Sequence, residues 1–257
     1  MVQRSAFTEE EIIQMIRSDD TEDQGVAARN LWSFWKGWVE DADGSTTEEK
    51  ERNVRTRFAS IAPLIYELLV RDIEKIKGET EYHMPRHIWH YLISLGCLQY
   101  PDAIDSIHTI LTDNSIVENV RAFAADSLTR YRSDQIDDEI VKSLWQLALT
   151  DDSLPVRVNS IRAIATKYKN SKNPEISKRI WDEIVNDEGI HSAVISTAMA
   201  AIGEVGSKSI VPDLIHMMIT RRTGALKKDA ALALDRIAVL NGMTNREDLI
   251  KEMGDIE

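Results

Sequence analysis

The stretches "VRAFAADSL" (residues 120–128) and "VRVNSIRAI" (residues 156–164) decide how this chain reads. Counted from a first residue at position 0, both are apolar or small at positions 0, 4, 5 and 8: Val120, Ala124, Ala125 and Leu128 in one, Val156, Ser160, Ile161 and Ile164 in the other. That spacing lays one continuous stripe along an α-helix. Three further stretches fit the frame: "HIWHYLISL" (87–95), "VISTAMAAI" (194–202) and "LKKDAALAL" (226–234). The five starting points, 87, 120, 156, 194 and 226, lie 33, 36, 38 and 32 residues apart.

Each framed helix follows another helical segment. Leu111-Thr-Asp113, Leu149-Thr-Asp151 and Val185-Asn-Asp187 each close an apolar-periodic stretch. Within these first helices Ile140, Leu144 and Trp145 recur as Ile176, Ile180 and Trp181, and again as Val211, Leu214 and Ile215. His108 occupies the place of Leu144 and Ile180, so it reads as a hydrogen-bonded packing residue. Such a unit cannot bury its apolar face alone, and stacking neighbours completes the core.

An Asp closing the first helix (Asp113, Asp151) and a Val-Arg opening the second (Val120-Arg121, Val156-Arg157), followed by small residues, resemble HEAT repeats, particularly the short kind also found in phycobiliprotein lyases. The likeness covers roughly residues 84 to 240 and thins toward the C-terminus, where Ile195 and Lys227 stand in place of Arg. It implies an all-α fold, a right-handed α-α superhelix (a HEAT-like solenoid) with an irregular helical N-terminal cap. The expected organisation is a cap over residues 1–78 and repeats over 79–257, in one continuous domain. In that family the Asp and Arg residues pair between neighbouring repeats and the second helices line the concave surface.

Ahead of the repeats, Thr8-x-x-Glu11, Thr21-x-x-Gln24 and Thr46-x-x-Glu49 read as capping boxes. They predict helices over 8–18, 21–40 and 47–77, the last kinked or broken at Pro63. In "LWSFWKGWVE" (31–40), at about 100° per residue, Leu31, Trp32, Phe34, Trp35, Trp38 and Val39 fall within an arc of about 160°. The three tryptophans therefore read as the apolar face of a helix closing the end of the core.

Composition narrows the function. Apolar residues make up 43%, and 11 Gly and 6 Pro are too few for a loop-rich β protein. A formal net charge of −12 opposes phosphate backbones, which are bound by displacing counterions with Lys and Arg. The lone cysteine, Cys97, rules out an intramolecular disulfide and a multi-cysteine zinc site. With no apolar run at the N-terminus and none long enough to span a bilayer, a cytoplasmic protein is expected.

Two motifs suggest metals and fail on spacing. In "DADGSTTEE" (41–49), setting Gly44 at the sixth position of a calcium loop puts Val39 at position one and Lys50 at position twelve, where carboxylate oxygens are needed. In "YHMPRHIWHY" (82–91), His87 and His90 are three apart, but His83 precedes Pro85 and so lies off the helix. Cys97 is about 10 Å of helical rise from His90, against zinc–donor distances of about 2 Å. No metal and no cofactor is expected.

Positions 2, 3 and 6 of the frame are left for solvent. They hold Trp89, His90 and Ile93, then Ala122, Phe123 and Asp126, then Val158, Asn159 and Arg162. Aromatic groups beside Arg suit a protein interface. The expected function is a non-catalytic scaffold that binds a protein or peptide, one with basic flanks, at Trp89, His90, Ile93, Phe123, Asp126, Val158 and Arg162. The resemblance also raises HEAT-like alkylpurine DNA glycosylases, since Asp126 and Arg162 lie one repeat apart. However, that family's tryptophan four residues before the aspartate would be Ala122 here, and the net charge is wrong for duplex DNA. Deoxyhypusine hydroxylases, HEAT proteins with His-Glu metal ligands, are disfavoured because no histidine here precedes a glutamate.

Overall fold

The computed structural model describes residues 8–78, 86–187, 189–220 and 224–254. All regular structure among them is helical. The chain divides into two compact units, Met1–Tyr131 and Arg132–Glu257.

In the first unit, α1 (Glu9–Arg17) packs on α2 (Thr21–Asp41), α4 (Ala62–Ile76) on α5 (Arg86–Leu98), and α6 (Ile104–Thr112) on α7 (Glu118–Leu128), with α3 (Thr47–Phe58) between α2 and α4 in the chain. The second members form a row, α2 against α5 and α5 against α7. The second unit repeats this plan. It pairs α8 (Asp138–Thr150) with α9 (Leu154–Lys167), α10 (Pro174–Ile180) with α11 (Ser192–Val205), and α12 (Val211–Thr220) with α13 (Gly224–Leu240). Here α11 packs against both α9 and α13, and α14 (Arg246–Glu252) packs on α13.

The first unit's helix starts follow local capping chemistry. Thr8 and Thr46 form the expected boxes with Glu11 and Glu49. At α2 the structure corrects the sequence reading: Asp20 is the N-cap, its carboxylate accepting from the Glu22 amide at 2.7 Å. Gln24 instead donates to the Ser18 carbonyl and is buried. The single helix expected over 47–77 is broken in two by a 3-10 turn at Ala59–Ile61, because proline fits the first turn of a helix and Pro63 stands in the first turn of α4.

Positions 4 and 8 of the frame are buried in all five framed helices, as a core stripe requires. Position 7 is buried in all five as well and always small: Ser94, Ser127, Ala163, Ala201 and Ala233. These small residues sit where neighbouring second helices approach closely. A Cβ at Gly96, position 9 of α5, would lie 2.6 Å from the Ser127 carbonyl oxygen on α7; one at Gly203, position 9 of α11, would lie 3.2 Å from the Ala233 Cα on α13. Position 9 of one helix thus meets position 7 of the next in both units.

Candidate functional site

Trp89, at position 2 of α5, and Phe123, at position 3 of α7, meet across the junction of these helices. Their ring centroids lie 5.2 Å apart with planes inclined by 26°. The His90 ring stacks on Trp89 at 4.7 Å. Three rings therefore form one stack running from a buried end, His90, to two half-buried aromatics.

The buried end corrects the sequence reading. His90 is only 9% exposed and Ile93 only 2%, so neither lies on a surface. Helix α2 packs along α5 and brings its Arg29 close to His90, on the side that the frame leaves to solvent. Burial, reinforced by the positive Arg29 and by His87, pushes the His90 pKa down to about 4, so the ring is neutral at pH 7. Its Nδ1 is buried without a hydrogen-bond partner among the described residues.

Beside the stack a polar hub ties three helices together. Asp72 of α4, 6% exposed, accepts from Arg71 at 2.8 and 3.0 Å and from Lys75 at 2.9 Å, and His87 Nε2 lies 3.3 Å away. Arg71 also donates to Gln24 of α2 at 2.8 Å. Burial works against the Asp72 carboxylate, but hydrogen bonds from Arg71 and Lys75 outweigh it and hold the group below the usual Asp range. At His87 burial wins over the neighbouring Asp72 and lowers the pKa. His87 is half-buried rather than packed like the valines that share its frame position.

The other predicted residues do not join the stack. Asp126 is half-buried and paired with Arg130 at 3.4 Å. Val158, half-buried, and Arg162, exposed and 3.4 Å from Asn159, belong to the second unit. Ala122 is 3% exposed, with no aromatic in its place. Among the described residues no group of His, Cys, Asp or Glu is placed to hold a metal ion; His83 lies outside them. Cys97 is buried, its thiol pushed up to about 12, chiefly by that burial. In the aromatic helix α2, Trp38 stacks on Phe58 at 3.8 Å, while the side chains of Trp32 and Phe34 lie outside the described residues.

Sequence reasoning missed a second feature. In the second unit a groove of about 520 Å³ runs between α8, the C-terminal end of α9, and α10. One wall is the α8 stripe Asp138, Val141, Lys142, Trp145 and Leu149; the other is Ile176 and Arg179 of α10, with Tyr168 at one end. The Arg179 guanidinium lies 4.1 Å above the Trp145 ring. Its Nε donates to Glu183 at 2.9 Å. The pattern had marked Trp145 only as a recurring packing residue, and nothing in the spacing ties Arg179 to it.

Neither the scan against protein-family models nor the comparison with curated proteins finds a match for this chain. No described helix is long and apolar enough to cross a membrane.

Proposed function

We propose that this chain is a non-catalytic scaffold of HEAT-like helical pairs, wound as a right-handed superhelix, that binds a protein or peptide partner beside the row of second helices. The supporting observation is the Trp89–Phe123 stack, two large aromatic rings left half-buried where the frame leaves room for any residue. Partly exposed aromatics held rigid by neighbours anchor interfaces, because little entropy is lost when a partner completes their burial. A net charge of −12 favours a partner with basic flanks.

The second unit supplies a substitution that separates binding from folding. There the same two frame positions hold Ser196 and Asp229, joined by a hydrogen bond. The double variant Trp89→Ser, Phe123→Asp therefore installs a pair this architecture already uses. A protein that copurifies with the chain from its native host, once identified and purified, should bind the folded double variant at least about 30-fold more weakly, the loss typical of a truncated anchor. Unchanged affinity measured by calorimetry on a folded variant would sink the proposal.

A further inference from the structure

We infer that the groove between α8 and α10 is a second docking surface, and that its occupant is an acidic peptide segment carrying an apolar side chain. The groove's apolar lining consists of the half-buried Leu149 and Ile176 and the buried Val141 and Trp145. Two cations stand over it. Lys142 has no ion-pair partner among the described residues. Arg179 spends only Nε on Glu183, and its Nη1 and Nη2 donate to no described residue.

The arrangement at Arg179 distinguishes it from an ordinary surface arginine. Stacking on Trp145 from one side and the Glu183 bond at Nε together fix the plane of the guanidinium, so the free Nη edge is pre-oriented. A planar fork held this way accepts a carboxylate with two parallel hydrogen bonds and little further loss of side-chain freedom. A chain of net charge −12 repels acidic ligands over most of its surface, so a groove offering two unengaged donor groups is selective for where such a ligand can land. Asp138, at the N-terminal end of the α8 wall, opposes the ligand's acids and sets its direction, with the apolar side chain toward Leu149 and Ile176 and the carboxylates toward Lys142 and Arg179.

The test uses the full chain on an immobilised array of nonapeptides, each with one central Leu, Phe or Trp flanked by Asp and Glu, beside counterparts in which every acid is Lys. The acid-flanked peptides should retain the protein and the Lys-flanked ones should not. For the best peptide, measured by fluorescence anisotropy, Arg179→Gln and Lys142→Gln should each weaken binding about ten-fold, the loss of one charge-assisted contact, while Asp138→Asn tightens it. Lys142 is exposed, so its variant stays folded even if loss of the Arg179 stack disturbs α10. The Trp89→Ser, Phe123→Asp variant should bind these peptides as the parent does, which keeps this site separable from the first. Equal retention of both peptide classes, no retention of either, or unchanged binding by the Lys142 variant would overturn the inference.

Discussion

Replacing Gly96 by Ala tests the closest approach between second helices. The new Cβ would sit 2.6 Å from the Ser127 carbonyl oxygen and 3.3 Å from both Cβ and Cδ of Arg130. Carbon–oxygen contacts settle near 3.3 Å, so α5 and α7 must separate by about 0.7 Å. The obstacle is a backbone carbonyl in the last turn of α7, not the far end of a flexible side chain, so it cannot simply swing aside. Overpacking of this kind costs about 1–3 kcal/mol, whereas alanine in place of glycine inside a helix returns about 1 kcal/mol. The net expectation is a loss of up to about 2 kcal/mol, accompanied by a weaker near-ultraviolet dichroism signal as the Trp89–Phe123 stack opens.

Two other glycines calibrate the sign. At Gly203 the nearest atom is 3.2 Å away, a shift of a few tenths of an ångström, and the two effects should nearly cancel. At Gly25, inside α2, nothing lies within 4 Å, so alanine should stabilise by about 0.5–1 kcal/mol. Urea unfolding followed by far-ultraviolet dichroism gives all three. If Gly96→Ala proved as stable as Gly25→Ala, the second helices of the first unit would not be in the contact described.

Acidification should weaken the fold through His90: its folded pKa near 4 lies below the ordinary 6.5, so stability is complete above pH 6.5 and falls toward pH 4 by at most about 1.4 kcal/mol per pH unit. His90→Gln should flatten that slope in urea titrations at several pH values, though His87, also shifted down, retains a share. Asp72→Asn removes the negative charge shared by Arg71 and Lys75, replaces one of its two acceptor oxygens with a donor and should cost about 1–3 kcal/mol, seen as a lower melting temperature; an unchanged melt would mean the hub does not tie α4 to its neighbours. Deleting residues 1–45 strips α2 from α5 and uncovers His90 and Ile93, so the truncated chain should aggregate; a soluble product with the parent melt would show that α2 is an accessory.

The helical pairs were legible because a buried stripe leaves a periodic trace: Val120, Ala124 and Leu128 announce their own face whatever packs on it. Which helix packs there leaves no such trace. His90 and Ile93 read as surface because the frame describes α5 alone, and only the fold brings α2 across it. Capping illustrates the same limit at short range. Thr8 and Thr46 cap as their spacing suggests, but at α2 the acid one residue earlier, Asp20, takes the role of Thr21 and frees Gln24 for the Arg71 bond. The turn at Trp181–Val185 widens to π geometry, although Ile176, Ile180 and Trp181 repeat the spacing of Ile140, Leu144 and Trp145, so identical periodicity conceals a different helix.

One regularity emerges only from the packing, and it bears on which residues the fold leaves free. Between α5 and α7, position 2 meets position 3 as Trp89 on Phe123; between α11 and α13 the same two positions meet as Ser196 on Asp229. Position 9 meets position 7 at both junctions as well, through Gly96 and Ser127 in one and Gly203 and Ala233 in the other. The register is therefore common to both units, but its chemistry is not. At the 9-to-7 contact only small residues fit, and small residues are what both junctions have. At the 2-to-3 contact a serine–aspartate pair and a tryptophan–phenylalanine pair each satisfy the geometry, so the geometry cannot be what demands two large rings. Helix packing accounts for Gly96; it does not account for Trp89 and Phe123, and that difference is the physical ground for seeking their role in what binds there.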